Sequence, residues 1–239
     1  MINLKRIYIL FLASIFCVAA TIIGTSADNG AAMVISTELM RNNYPTIIID
    51  AGHGGEDGGA TSLLGDLEKD INLDICLTLE MLLIQGGYNT KSIRKTDISI
   101  HDNDAATVRE RKVTDIHNRV KLANDSKDNI LVSIHQNHFS ESKYFGTQVF
   151  YSKNNANSQI LAENIRTAVT SLLQPENTRK CKESAGVYLL DNTSVPAIIV
   201  ECGFLSNPDE AYLLSQQDYR DSIAYSIYLG IVEYIYLNY

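Results

Sequence analysis

Three short runs of almost uninterrupted Ile, Val and Leu constrain the fold of this 239-residue chain more than any other feature. The runs are Thr46–Asp50, Ile130–His135 and Ala197–Glu201. Strands that are covered on both faces, as in parallel sheets flanked by helices, have this composition. Stretches with helical periodicity alternate with the runs along the chain. The alternation predicts an α/β fold with a twisted, mostly parallel sheet.

The same pattern predicts about six strands flanked by helices in one domain. Further strands are expected at Tyr88–Arg94, Thr147–Tyr151 and Gly186–Leu190. Helices are expected where apolar residues recur three or four apart, at Glu68–Leu83, Val113–Ala123, Leu161–Leu172 and from about Asp218 to Leu237. No repeat or low-complexity run marks a domain boundary after about residue 44.

The first 27 residues have the form of a secretory leader. Lys5 and Arg6 precede the uncharged stretch Ile7–Ile23, and small residues follow at 24–27. Because this stretch also reaches the short limit of a membrane span, an uncleaved N-terminal anchor is the alternative. Residues 28–44 are then expected to be a tether, and residues 45–239 a domain that works outside the cytoplasm, secreted or membrane-anchored.

The charge balance argues against nucleic acid as a partner. The formal net charge is −8, whereas proteins that bind nucleic acid neutralise phosphates with clustered Lys and Arg. The glycines at 52–59 are not followed by the GxxxxGK[ST] pattern of a phosphate-binding loop, so the sequence does not predict a nucleotide site.

Polar side chains stand at the ends of the apolar runs. His53, His135 and Glu201 follow or end the three runs, and Glu68 opens the first predicted helix. Because ligands of open α/β sheets bind at the carboxyl ends of strands, these four side chains are expected to converge. Two histidines and one carboxylate suit a catalytic zinc ion, and a second carboxylate suits a general base. The alternative is that the histidines are merely hydrogen-bonded at strand ends.

Four separated blocks of residues resemble the signature motifs of the zinc-dependent N-acetylmuramoyl-L-alanine amidase family. They occur in the order of the family, at Ile49–Ala60, Leu67–Leu73, Ser133–Asn137 and Val200–Asn207. The resemblance spans Thr46 to the C-terminus. It is strongest to germination-specific members from spore-forming bacteria and includes the stretches Asn177–Lys180 and Gly186–Leu189.

The resemblance implies a peptidoglycan hydrolase of the cell wall that cuts the amide bond between N-acetylmuramic acid and L-alanine of the stem peptide. It implies one zinc ion held by His53, Glu68 and His135, with Glu201 as the catalytic carboxylate. Spore-type members act with a muramic acid deacetylase to form muramic-δ-lactam in the spore cortex, and the same role is expected here.

Three further positions have both a functional and a structural interpretation. Asn137 follows His135 closely and is a candidate substrate contact or a loop cap. Arg94 resembles a recurrent arginine of the family and is a candidate substrate contact or a structural pairing partner. The charged run Thr107–Lys112 is either a solvated face or a contact for the glycan.

The last predicted helix carries a second stripe beside its isoleucine face. Seven of the thirteen tyrosines follow residue 211, and the stripe consists of Tyr225, Tyr228, Val232 and Tyr236. Tyr is enriched at protein interfaces, so the stripe is a candidate surface for a homodimer or an activator protein. The alternative is packing against the sheet.

Two other functions are compatible with the motifs. One is a catalytically silent module that binds the cell wall, although such a module has no chemical need for Glu201. The other is a zinc peptidase that cuts within the stem peptide, which the masses of the products would distinguish from an amidase.

Overall fold

Six strands form one mixed sheet in residues 44–239, the part of the chain that the computed structural model describes. The strands are β1 (Thr46–Ala51), β2 (Asn89–Ser92), β3 (Asn129–Asn137), β4 (Gln148–Tyr151), β5 (Lys182–Glu183) and β6 (Ala197–Phe204). Their order is β2-β1-β3-β6-β4-β5, and β4–β6 is the antiparallel pair. The predicted α/β fold with a mostly parallel sheet is confirmed. The predicted leader and nearly all of the tether lie outside the described residues.

Helices cover both faces of the sheet. They are α1 (Glu68–Gln85), α2 (Val108–Ala123), α3 (Asn157–Leu172), α4 (Tyr188–Asn192), α5 (Pro208–Ser215) and α6 (Gln217–Asn238). Apolar side chains of α1, α3 and α6 form one core with the sheet, and those of α2 and α4 form a second. Within residues 44–239, no helix combines the length and the apolar character that crossing a membrane requires.

The apolar composition of the central strands follows from this three-layer arrangement. Along β1, Ile47 and Ile49 enter the core on the α1 side, while Ile48 enters the core on the α2 side. All three are fully or almost fully buried. A strand between two helical layers has no solvent-facing position, so alternation of apolar and polar residues is absent.

The predicted strand at Gly186–Leu190 is wrong. A turn at Gly186, with φ of 82°, leads into the short helix α4, which buries the consecutive residues Leu189 and Leu190. Two consecutive side chains of a strand would point to opposite faces, whereas a helical turn directs both into the core beside α2. The edge of the sheet is instead occupied by β5, whose two residues are too few to give a periodic signal.

The apolar stripes predicted for the helices agree with the observed burial to different extents. On α6, Ile223, Ile227, Ile231 and Ile235 are all buried, as predicted. On α3 the buried residues include Leu161, Ile165 and Val169, and Leu172 of the predicted stripe is 52% exposed. On α2, Val113 is also exposed. The apolar stripes of α2 and α3 are therefore narrower than predicted.

Candidate metal centre

Three of the predicted residues meet at the carboxyl end of the sheet. His53 lies in the turn after β1, Glu68 is the first residue of α1, and His135 lies near the end of β3. Their ligand atoms all lie within 4.8 Å of one another. Glu68 Oε1 is 3.2 Å from His53 Nε2 and 3.0 Å from His135 Nδ1. The predicted convergence of these side chains is present in the structure.

Parallel strand pairing and a close approach of the backbone bring these three side chains together. β1 and β3 are neighbours with Ala51 opposite Ile134, so their ends meet. His53 has φ of 63°, a left-handed conformation that costs free energy in residues other than glycine and concentrates at functional sites. A Cβ at Gly52 would lie 2.2 Å from the His135 ring, so only glycine permits this approach.

Hydrogen bonds hold the Glu68 carboxylate in its ionised form. Its Oε2 accepts from the Ala60 backbone N–H at 2.9 Å, and its Oε1 accepts from the Gln136 N–H at 3.1 Å. Burial alone would raise the pKa of Glu68, but hydrogen bonds from His135 and His53 hold it well below its usual range. The carboxylate is therefore charged and available to a cation.

His53 is oriented by a second carboxylate that the sequence reasoning missed. Asp57 Oδ2 lies 2.9 Å from His53 Nδ1, which leaves Nε2 facing Glu68. Lys112 Nζ donates to Asp57 Oδ1 at 2.9 Å, and the adjacent Arg111 pairs with Glu56 in the same loop. Metal-binding histidines usually donate their other ring N–H to such a partner. Arg111 and Lys112, both in the charged run 107–112, thus contact the loop that carries His53.

Replacing Asp57 by Asn tests this orienting role. We expect Zn²⁺ affinity to fall about 10- to 100-fold, because the amide accepts a weaker hydrogen bond from the imidazole than the carboxylate does. Competition with a zinc chelator measures the affinity. Asp104→Asn, at an exposed loop position, is the matched control and should leave affinity unchanged. Equal affinities of the two variants would contradict the role of Asp57.

A buried ion network holds the backbone of the loop that carries His53. Asp50 accepts from Ser133 Oγ at 2.7 Å and pairs with Arg119 of α2, and both charged side chains are almost fully buried. Arg119 also donates to the backbone oxygen of His53 at 2.7 Å. One feature of the sequence indicates this network. Arg119 is a charged residue beside Val120, within the predicted apolar stripe of its helix.

Glu201 lies beside the side chains of His53, Glu68 and His135. It is paired in register with His135 on β3 and with Gln148 on β4, so the three side chains form a row on one face of the sheet. Within residues 44–239, Glu201 Oε2 is buried and has no hydrogen-bond partner. Burial raises the pKa of Glu201 to about 7; Glu68 adds to this rise, whereas His135 and His53 oppose it. A carboxylate with these properties is suited to acid–base chemistry.

The two candidate substrate contacts have different surroundings. Asn137 ends β3 and is half-buried, and its side-chain amide has no hydrogen-bond partner among the described residues. Arg94 is buried, and its guanidinium donates to the backbone oxygens of Ala51, Gly52 and Lys69 at 2.7–3.0 Å. These contacts favour the structural interpretation of Arg94 and leave Asn137 accessible to a ligand.

The fold and this centre define an α/β protein with the donor set of metal-dependent hydrolases, two histidines and a carboxylate with a second carboxylate nearby. The chain belongs to the N-acetylmuramoyl-L-alanine amidase family, whose model matches residues 47–233. The predicted family is thereby confirmed, and with it the class of enzyme, a peptidoglycan amidase of the cell wall.

Individual relatives agree with this assignment. The chain is 38% identical over 189 residues to the germination-specific N-acetylmuramoyl-L-alanine amidase of Bacillus subtilis (strain 168), covering 79% of this chain and 78% of the relative. The structure of the CwlD amidase from Clostridioides difficile, solved in complex with the GerS lipoprotein, matches with a TM-score of 0.78 and 38% identity. That match covers 81% of this chain and all of the other. AmiC2 of Nostoc punctiforme matches with a TM-score of 0.67 and 27% identity, over 80% of this chain and 97% of AmiC2.

Proposed function

We propose that the chain hydrolyses the amide bond between N-acetylmuramic acid and L-alanine in peptidoglycan, with one zinc ion held by His53, Glu68 and His135. The observation that carries the proposal is the convergence of these three donors beside Glu201, whose buried Oε2 has no hydrogen-bond partner within residues 44–239. Family membership supports the choice of substrate.

The donor set fits a divalent cation. Glu68 approaches a nitrogen of each histidine at hydrogen-bond distance, and the carboxylate is almost fully buried. Without a cation, these contacts require protons on the imidazoles. Imidazole nitrogen and carboxylate oxygen are ligands that zinc accepts, and three protein ligands leave a position for water.

Glu201 performs the proton transfers in this proposal. The chemistry that a bound zinc ion supplies is polarisation of a carbonyl and a lowered pKa of a water molecule. Glu201 takes the proton of the attacking water and passes it to the nitrogen of L-alanine, which leaves as an amine. The register pairing of Glu201 with His135 in the sheet supports this role. Asn137, at the end of β3, is a proposed substrate contact, because its side-chain amide has no hydrogen-bond partner among residues 44–239.

Zinc uptake should release protons. Burial would lower the pKa of His53, but hydrogen bonds to Asp57 and Glu68 raise it to about 9 in the metal-free chain. Since only neutral imidazole binds the metal, we expect affinity to increase from about pH 6 to pH 9 and to level off above that range. Calorimetric titrations in two buffers with different ionisation enthalpies count the protons. Affinity that does not change over this range would contradict the raised pKa.

The activity itself is tested on peptidoglycan. We expect the protein with zinc to release intact stem peptides that begin with L-alanine, and a chelator to abolish release. Mass spectrometry of the products identifies the bond that was cut. Peptides lacking L-alanine at their N-terminus would instead indicate a peptidase, and no release by zinc-loaded protein would favour a silent wall-binding module.

The cellular setting forms part of the proposal. The name of the Bacillus subtilis relative supports a role in germination. The further proposal, which rests on the resemblance of the motifs, is that the protein acts in the spore cortex with a muramic acid deacetylase to form muramic-δ-lactam. Residues 1–27 would serve as a signal peptide or anchor, residues 28–44 as a tether and residues 45–239 as the catalytic domain. With this proposed arrangement the domain would act outside the cytoplasm, in the compartment that contains the substrate.

A partner protein is proposed for the tyrosine stripe of α6. Tyr225 is 48% and Tyr236 is 82% exposed, whereas Tyr228 is half-buried and packs against the core. The stripe is thus only partly used for packing. The complex of CwlD with the GerS lipoprotein supports a partner protein as its occupant. We propose that this partner is an activator, with a homodimer as the alternative.

A further inference from the structure

The loop between β3 and β4, residues 138–147, forms a fixed aromatic rim near the metal centre. Phe139 is 47% and Phe145 is 50% exposed. The loop is nevertheless held by hydrogen bonds from the Phe139 N–H to Ser206 Oγ at 3.0 Å and from the Gly146 N–H to Glu210 Oε1 at 2.9 Å. A rim that is both exposed and held in place is suited to binding.

Arg179 is fixed beside this rim with part of its guanidinium unused. Its Nε donates to the Phe145 backbone oxygen at 2.7 Å, and its Cζ lies 4.7 Å from the ring centre of Phe204 and 5.9 Å from that of Tyr144. Among the described residues, the two terminal amino groups of Arg179 have no hydrogen-bond or salt-bridge partner. Such a planar fork matches a carboxylate in bidentate geometry.

A surface pocket of about 230 Å³ adjoins the guanidinium. It is lined by Lys143, Tyr144, Phe145, Asn177, Thr178 and Arg179. Lys143 Nζ lies 5.3 Å from the centre of the Tyr144 ring, so two cations flank the same ring. Lys143 is paired with Glu141, but both side chains are more than half exposed, and such pairs are weak. The pocket therefore presents positive charge on a chain whose net charge is −8.

The pocket lies within reach of a stem peptide bound at the centre. Phe204 follows Glu201 by three residues in β6, a spacing of roughly 10 Å at about 3.3 Å per residue. Two fully extended peptide residues span at most about 7 Å. The remaining gap is small, because Gln148, the partner of Glu201 in β4, donates through Nε2 to the backbone oxygen of Lys180 at 2.6 Å, next to Arg179 in the chain.

We propose that Arg179, assisted by Lys143, forms a subsite for the free carboxylate of the acidic residue that follows L-alanine in the stem peptide. The subsite rests on the proposed amidase function and deepens it by assigning a recognised group on the leaving side of the scissile bond. Arg179 binds substrate here and takes no part in the proton transfers.

Two synthetic substrates test the subsite. One is N-acetylmuramoyl-L-alanyl-D-glutamate with a free α-carboxylate, and the other carries a carboxamide at that carbon. We expect zinc-loaded wild-type protein to cleave the carboxylate substrate with about 10- to 100-fold higher kcat/KM, mainly through a lower KM. Arg179→Gln should abolish this preference, so that kcat/KM on the carboxylate substrate falls toward that on the carboxamide substrate. Arg166→Gln, on α3, is the matched control and should keep the preference.

The outcomes separate the subsite from the function on which it rests. Equal kcat/KM of wild-type protein on the two substrates would overturn the subsite while the amidase activity stands. This comparison requires no variant, so it holds even if Arg179→Gln does not fold, and Arg179→Lys should then show a partial loss of preference. If zinc-loaded protein cuts neither the two substrates nor peptidoglycan, both proposals fail.

Discussion

Replacing Glu201 by Gln is expected to lower kcat about 100- to 10,000-fold while zinc remains bound. The amide keeps the size of the side chain but cannot accept the proton of the attacking water. Glu201 has no hydrogen-bond partner among the described residues, so its replacement disrupts no network that holds His53, Glu68 or His135. The large loss of turnover should therefore come without a loss of metal.

Release of stem peptides and elemental analysis of zinc, measured on the same preparation, check this prediction. Glu233→Gln, at an exposed position of α6, is the matched control and should be fully active. Full activity of the Glu201 variant would remove this residue from the mechanism. Loss of zinc from that variant would instead make Glu201 part of the metal site.

Replacing His135 by Ala is expected to remove most of the bound zinc and, with it, activity. The expected loss of affinity exceeds the roughly 10- to 100-fold that is typical of contacts outside the ligand set, because one of three protein ligands disappears. The substitution also leaves Glu68 in a buried position with one hydrogen-bond donor fewer.

His138→Ala provides a close control for this variant. His138 lies three residues further along the chain in the exposed part of the β3–β4 loop, so it tests the general effect of losing an imidazole near the site. We expect it to retain a full complement of zinc. Unchanged zinc content in the His135 variant would contradict the ligand assignment.

The sequence predicts the convergence of His53, Glu68 and His135 because topology brings them together. His53 and His135 follow apolar runs that become parallel neighbours, and Glu68 begins the helix between them. Strand-end position alone does not distinguish the expected role of Glu201 from the roles of the other three residues. The family motifs make this distinction. Periodicity and motif thus suffice for residues whose placement depends on the ends of regular elements.

The contacts that orient these residues require the tertiary structure. Asp57 contacts both His53 and Lys112, which is 55 residues away from Asp57 in the sequence. Asp50 and Arg119 are 69 residues apart and form a buried pair across the sheet and α2. No local pattern encodes such pairs. Likewise, α4 was predicted as a strand because its apolar residues match a short strand, and its helical form depends on packing against α2.

The edges of the sheet have a consequence for how the protein behaves among other chains. β2 is a four-residue polar strand, and β5 consists of two exposed charged residues, Lys182 and Glu183. Long apolar edges act as templates on which further chains add as strands and aggregate. Short polar edges resist such growth. The sheet is therefore protected against edge-to-edge aggregation. Surfaces for association with other proteins are then expected on the helices and loops.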